Sequence, residues 1–108
     1  MTDIRLRPLA EADLVERSKH YKSEGGDSLG ERFFDAAIEA LRDIERMPGA
    51  GSSRIGELAG IDGLRSCRLE RFPCGWFYFE RSDHADVVRL LAYAQDLETI
   101  LGDLNQGR

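Results

Sequence analysis

Hydrophobic and polar positions follow two different periods along the chain, and each change of period predicts a new element. At the N-terminus Ile4 and Leu6 alternate with arginines, which predicts a strand with one buried face. From Ala10 to about Ser23 a thin apolar stripe recurs at helical spacing, so we expect a first helix there. Gly25-Gly26 is expected to end it, because glycine tolerates the left-handed conformation that often follows a helix.

The most regular pattern of the chain predicts a second helix from Asp27 to Met47. Ser28 and Glu31 have the spacing of a capping box, or Asp27 caps the helix one residue earlier. The stripe expected to be buried consists of Leu29, Phe33, Ala37, Ala40, Leu41, Ile44 and Met47. Two helices joined by a Gly-Gly turn predict an antiparallel helical hairpin.

Three strands joined by tight turns are predicted after a glycine-rich loop at residues 49–63: Leu64–Glu70, Cys74–Arg81 and Ala85–Ala94. The run of four aromatic residues, 76–79, suits a pleated, packed surface. One or two helical turns are expected over Leu97–Leu104. This order predicts an α+β fold over residues 1–108 as one domain, with an N-terminal strand and a two-helix antiparallel hairpin on a mainly antiparallel sheet that ends in a three-strand meander.

Side-chain alternation divides the predicted sheet into two faces. In the last strand the face expected to be buried carries Val88, Leu90, Ala92 and Ala94, and the other carries Val87, Arg89, Leu91 and Tyr93. A two-helix layer covers one face only, so the second should expose apolar surface mixed with arginine, which is typical of interaction sites. A partner is the favoured cover for this face. The alternative is that the C-terminal segment or a second copy covers it.

The charge of the chain argues against a nucleic-acid footprint. Net charge is −5, and both halves are acidic, with 8 basic and 11 acidic side chains in residues 1–53 and 7 and 9 in residues 54–108. Proteins that bind phosphates of nucleic acid usually carry a basic surface, so direct sequence-specific DNA binding is not expected. No apolar run approaches the roughly 20 residues of a membrane span. With no signal-peptide core at its N-terminus, the chain is expected to be cytoplasmic.

Few residues indicate catalysis. The glycines lack a phosphate-loop pattern, and His and Cys residues lack metal-ligand spacing, so neither a cofactor nor a metal is expected. Cys67 and Cys74 are interpreted as buried thiols on neighbouring strands, with a disulfide or redox pair as the alternative. Arginine forks suit a phosphate or an acidic protein, and a tyrosine can be a general acid or simply pack. The weak catalytic candidates are therefore Arg68, Arg71, Arg81 and Tyr93.

Three stretches, in this order and spacing, resemble the RelE/ParE superfamily of type II toxin–antitoxin toxins. They are RPLAEADL near the start, ERFFDAAIEALRDIERMPGAG in the second helix and GLRSCRLERFPCGWFYF in the meander. The long second helix, the acidic charge and the Gly-Leu-Arg-Ser entry to the meander are nearer to ParE. The resemblance implies a small toxin, of the kind linked to plasmid stabilization, that is neutralised by a cognate ParD-like antitoxin in a hetero-oligomer. In such complexes the antitoxin's C-terminal segment wraps the apolar surface of the toxin.

The resemblance also implies a choice of target. ParE-like members inhibit DNA gyrase, whereas RelE-like members cut mRNA in the ribosome. The family's His-x-x-Arg-Asp run appears here as Ala92-Tyr93-Ala94-Gln95-Asp96, and its Tyr-Arg as Tyr78-Phe79. Losing His and Arg disfavours RNA cleavage, which needs groups that move protons and stabilise charge.

Inhibition of gyrase by binding, without an enzymatic reaction, is therefore favoured. An mRNA endonuclease of the RelE kind and a degenerate, non-toxic antitoxin-binding module are the alternatives. The residues expected to contact the target or the antitoxin are Arg65, Arg68, Trp76, Tyr78, Arg89, Tyr93 and Asp96.

Overall fold

The computed structural model of the chain describes residues 2–106, with side chains through residue 104. Its elements in order are β1 (Asp3–Leu6), α1 (Pro8–Arg46), a 3₁₀ turn (Pro48–Ala50), α2 (Arg54–Leu58), β2 (Leu64–Arg68), β3 (Cys74–Glu80), β4 (His84–Ala92) and α3 (Leu97–Gln106). The predicted α+β order is confirmed. The glycine-rich stretch differs from the prediction because it contains the 3₁₀ turn and α2, and the C-terminal turns extend into the ten-residue helix α3.

Helix α1 folds back on itself at Gly25 and Gly26, so its two arms, residues 8–24 and 27–46, form the predicted hairpin. Gly26 has φ 80° and ψ −175°, which no continuing helix contains. In a straight helix residues 21 and 33 would be about 18 Å apart, yet the rings of Tyr21 and Phe33 stack with centroids 4.8 Å apart. Among residues 2–106, no helix is both long and apolar enough to cross a membrane.

The four strands form one sheet in the order β1-β4-β3-β2. β1 runs parallel to β4, and β4, β3 and β2 pair antiparallel as the predicted meander. The hairpin of α1 covers one face of this sheet, where the fully buried Trp76 donates its Nε1–H to the carbonyl of Ala37 at 2.9 Å. Such a bond satisfies the indole N–H that burial removes from water. Both cysteines are free thiols.

A β-bulge in β4 makes the predicted faces of that strand wrong at its centre. Val87 and Arg89 pair with the adjacent residues Tyr78 and Phe77 of β3, so Val88 is an extra residue in the ladder. Val87 packs in the core beneath α1, whereas Val88 packs in the cluster on the opposite face. A strict two-residue alternation cannot pass through an inserted residue, so the two valines exchange their predicted faces.

The second face of the sheet is covered by the chain itself, so the prediction of an exposed apolar face is wrong. Helix α3 crosses this face and buries Leu101 completely, with Leu97, Ile100 and Leu104 packed beside it. The cluster beneath contains Ile61, Leu64, Phe77, Phe79, Val88 and Leu91. An amphipathic helix of ten residues removes this aromatic and aliphatic surface from water, which was the alternative considered for this face.

Candidate functional site

A groove of about 840 Å³ lies between the second arm of α1 and the β2–β3 hairpin. One side of it carries Asp35, Glu39 and Asp43, whose four-residue spacing places them along one side of the arm. The other side carries Arg68 and Arg71. Its apolar lining consists of Leu29, Ala36, Ala40, Leu69 and Phe72. Arg32 on the first side and Glu70 on the second complete the lining, so the groove combines an apolar lining with charged residues of both signs.

The turn between β2 and β3 holds Arg71 in an unusual backbone conformation. The hairpin closes with the N–H of Leu69 donating to the carbonyl of Cys74 at 2.9 Å. Arg71 has φ 70°, and among the described residues it is the one non-glycine with a positive φ. Its side chain is 87% exposed and lies 4.0 Å from the Glu70 carboxylate. The turn thus presents a solvated guanidinium at the side of the groove.

Arg68 and Tyr93 meet beside this groove. The guanidinium carbon of Arg68 lies 5.0 Å from the centroid of the Tyr93 ring, within the range of a cation–π contact. The phenol lies across Gly75, where any Cβ would collide with the Tyr93 hydroxyl. Burial raises the pKa of Tyr93, so the phenol stays protonated at neutral pH.

Arg89 is bound within the fold. Its Nε and Nη2 donate to the Asp13 carboxylate at 2.7 and 2.9 Å, and the N–H of Leu90 donates to the same carboxylate at 3.0 Å. The side chains of Arg89 and Asp13 are only 22% and 17% exposed. Hydrogen bonding to Asp13 raises the pKa of Arg89. This pair ties the first arm of α1 to β4, so Arg89 serves the fold and is not available to a partner.

Arg65 is also held by internal partners. Its Nη1 donates to the carbonyl of Gly51 at 2.9 Å, and its Nε lies 3.9 Å from the Glu80 carboxylate. The first of these contacts fastens the turn after α1 to β2. The arginine therefore positions a connecting segment.

Arg81 lies at the other end of the sheet from the groove candidates, just after β3. Its guanidinium sits over the Phe79 ring at 4.6 Å and donates to the Asp86 carboxylate at 3.3 Å. Arg7 donates to the same carboxylate at 2.8 and 3.0 Å. Hydrogen bonds from Arg7, and then from Arg81, hold the pKa of Asp86 below its usual range. Arg81 is thus part of an ion-pair cluster that joins β1 and β4.

Three further predicted contact residues have structural roles. Trp76 and Tyr78 are fully buried beneath α1, and the Tyr78 hydroxyl donates to the carbonyl of Pro48 at 2.5 Å. The structure contradicts a contact role for these two side chains, because neither reaches the surface. Asp96 is exposed and caps α3, accepting from the N–H of Thr99 at 3.3 Å and from its hydroxyl at 2.8 Å. These bonds lower the pKa of Asp96.

Gln95, at the position of the family's arginine, makes two bonds at the end of β4. Its Oε1 accepts from the N–H of Ala92 at 2.8 Å and from Nη2 of Arg17 at 3.0 Å. A guanidinium therefore does lie at this end of β4, but it comes from the first arm of α1. The glutamine orients it through an amide oxygen, which moves no proton.

Of the predicted site residues, Arg68 contacts Tyr93 and shares the groove with Arg71. His84 begins β4 and Tyr93 follows its end, so about 30 Å of strand separates them. His20 is exposed on the first arm of α1. Within the described part of the chain, no group of three or more His, Cys, Asp and Glu side chains is arranged to hold a metal ion.

Two features were missed from the sequence. The acidic row of the groove is not among the predicted site residues, although its spacing of four residues indicates that these side chains lie along one side of a helix. The Asp13 carboxylate escaped notice because its partner, Arg89, is 76 residues away.

Comparison with known proteins agrees with this fold. The model of the family described as the ParE toxin of type II toxin–antitoxin system, parDE, matches residues 4–97. A solved structure, the chromosomal ParDE TA system from P. aeruginosa, is similar with a TM-score of 0.72 and 20% identity, over 85% of this chain and 96% of that chain. A comparison with curated proteins finds no match. At 20% identity the structural likeness shows the fold, and the family match spans most of the chain. The chain therefore belongs to the ParE toxin family of type II toxin–antitoxin systems.

Proposed function

We propose that this chain is a toxin that inhibits DNA gyrase by binding it, and that a ParD-like antitoxin neutralises it in a hetero-oligomeric complex. On this proposal, the toxin acts in the cytoplasm and is neutralised there. The observation that carries it is the groove between α1 and the β2–β3 hairpin, which has the apolar lining and charged walls suited to a protein segment.

The arrangement of the arginines supports binding over catalysis. Arg81 and Arg89 are held in ion pairs with Asp86 and Asp13, so neither can approach a phosphate without breaking a partly buried contact. Tyr93 keeps its proton at neutral pH, and His84 lies at the opposite end of β4. RNA cleavage needs one group that takes a proton and another that gives one.

The groove suits the antitoxin because it can take both the apolar and the charged side chains of an amphipathic segment. Ala36 and Ala40 are small, which leaves room for the larger apolar side chains of a partner. The outer edge of β2 also offers backbone hydrogen bonds. Ser66 makes two backbone hydrogen bonds with Ser52 on this outer side. Because every second residue of a strand points its backbone groups the same way, the N–H and the carbonyl of Arg68 also point outward. An extended part of the partner can pair there.

The test is a supercoiling assay with the purified chain, free of antitoxin. We expect conversion of relaxed plasmid by gyrase to fall as the toxin concentration rises, and pre-incubation with an equimolar amount of the ParD-like antitoxin to restore it. Arg54→Ala is the control variant and should inhibit gyrase like the wild type, since Arg54 is exposed outside the groove. Full gyrase activity across the whole toxin range would exclude gyrase as the target.

A second function, cleavage of ribosome-bound mRNA, is favoured by one observation, the contact between Arg68 and Tyr93. An arginine beside a protonated phenol is a pair that can bind a phosphate and give a proton to a leaving oxygen. The discriminating variants are Arg68→Ala and Tyr93→Phe. If the chain cuts mRNA, both should abolish growth arrest, whereas a gyrase binder should keep its toxicity in Tyr93→Phe.

A further inference from the structure

We propose that Arg71 determines which partner the groove accepts, by binding a carboxylate of the partner segment. This inference rests on the proposed function, because the partner segment is taken to be that of the antitoxin. It adds to that function a named specificity residue and the charge of the partner residue that binds it. Three features of the turn and the groove lead to it.

The first feature is the backbone. At φ 70° the Cβ of an L-residue is crowded against its own backbone, and glycine is the residue that fills such positions without this cost. The described structure shows no fold contact that repays it, since the Arg71 side chain is 87% exposed and its one ion-pair contact, to the equally exposed Glu70, measures 4.0 Å. The turn uses this backbone conformation but does not need an arginine side chain, and strained residues of this kind cluster at binding and catalytic sites.

The second feature is availability. Arg65, Arg81 and Arg89 are engaged by partners in the fold. Arg68 lies on the Tyr93 ring, which fixes its direction. Arg71 is therefore the arginine of the β2–β3 hairpin whose fork is open to a carboxylate, and a guanidinium binds a carboxylate through two parallel hydrogen bonds.

The third feature is the charge across the groove. The α1 side carries Asp35, Glu39 and Asp43 together with Arg32, and the hairpin side carries Arg68 and Arg71 together with Glu70. Ion pairs with Arg42 and Arg46 offset the charge of Glu39 and Asp43, so Arg71 is the exposed charge that a partner segment meets at the turn. A segment that places apolar side chains on the lining therefore binds best with an acidic residue toward the β2–β3 turn. A basic residue at the same place would meet the like charge of Arg71, so this arginine discriminates between segments by their charge at the turn.

The test compares the affinity of the full-length ParD-like antitoxin for the purified wild-type chain and three variants, by titration calorimetry. Arg71→Gly should weaken binding about tenfold or more, the loss of one charge-assisted pair. Arg71→Lys should bind between the two, because the charge stays and the fork is lost. Arg54→Ala removes the same charge outside the groove and should bind like the wild type.

A melting curve for each variant separates affinity from folding. Arg71→Gly should melt no lower than the wild type, because glycine relieves the left-handed conformation. Wild-type affinity in Arg71→Gly would overturn the role of Arg71 and leave the proposed function standing. A lowered melting temperature would overturn the claim that the fold holds Arg71 against its backbone preference. No binding of the antitoxin by the wild-type chain would overturn both this inference and the proposed partner.

Discussion

Removing the Asp13 carboxylate should destabilise the fold by about 3 kcal/mol, because a partly buried guanidinium then loses its partner. Asp13 accepts two bonds from Arg89 and one from the N–H of Leu90, at 2.7, 2.9 and 3.0 Å. A hydrogen bond to a charged group contributes about 1.5–3 kcal/mol. Breaking a fully buried pair on one side costs about 3–5 kcal/mol.

The exposure of the pair sets the value within this range. Arg89 keeps 22% of its side-chain surface in water and Asp13 keeps 17%, so the orphaned guanidinium can recover part of its hydration. This places the cost of Asp13→Ala at the lower end of the buried range, about 3 kcal/mol. For a chain of this size that corresponds to a fall in melting temperature of roughly 10–15 °C.

The assay is a double-mutant cycle by urea unfolding, with Asp13→Ala, Arg89→Ala and both changes together. We expect a coupling energy of about 2 kcal/mol, since each single variant already removes the shared contact. The exposed pair Glu39 and Arg42, at 3.2 Å, is the matched control and should couple by less than about 1 kcal/mol. A coupling below about 0.5 kcal/mol at Asp13 and Arg89 would refute the structural role given to this arginine, and would return it to the candidates for target binding.

Three further predictions test the packing and the electrostatics. Leu101→Ala should cost about 2–5 kcal/mol in urea unfolding, because Leu101 of α3 is fully buried against the sheet. Leu58→Ala, at a residue 69% exposed, should cost less than about 0.5 kcal/mol, and equal effects would contradict the covering role of α3. The pKa of Asp86 is lowered in the folded state, so its ion pairs stabilise the fold fully above the pKa of an unfolded aspartate, near 4, and this contribution is lost as pH falls through the folded pKa. Asp86→Asn should therefore lose less stability than the wild type between pH 6 and pH 3 in urea unfolding. Equal losses in the two proteins would argue against the ion-pair cluster. Gly75→Ala should destabilise the fold by about 1–3 kcal/mol, because the added methyl group collides with the Tyr93 phenol. The cost should shrink when Tyr93 is also changed to Ala. An undiminished cost would mean that the methyl group collides with the backbone at Cys67 instead.

Most of the fold could be predicted from local patterns. The Gly-Gly pair between two apolar stripes indicates the hairpin of α1, and the aromatic run after Pro73 indicates β3. The faces of β4 could not be predicted, because the bulge at Val88 follows from the pairing of two strands and leaves no mark on one of them. The sequence could not decide which element covers the second face of the sheet either, since a helix of ten residues is hardly stable until it packs against the rest of the fold.

The candidate site was only partly predictable, because residue type does not reveal which charges are already paired. Arg68, Arg71, Arg81 and Arg89 look alike in the sequence, yet two of them bind aspartates of the fold. Trp76 and Tyr78 have the composition of a binding surface, but their polar atoms bond to backbone carbonyls beneath α1. Apart from the bond between Arg81 and Asp86, these contacts join residues 30 to 76 positions apart, and a one-dimensional pattern carries no record of them.

The measurement that tests the account most directly is brief induction of the chain in bacteria without its antitoxin, with labelled thymidine and labelled methionine followed in parallel. Inhibition of gyrase predicts that thymidine incorporation falls first and that co-expression of the ParD-like antitoxin prevents the fall. A fall of methionine incorporation first would contradict the account and favour cleavage of mRNA at Arg68 and Tyr93. If neither falls, the chain is a binding module that has lost its toxicity.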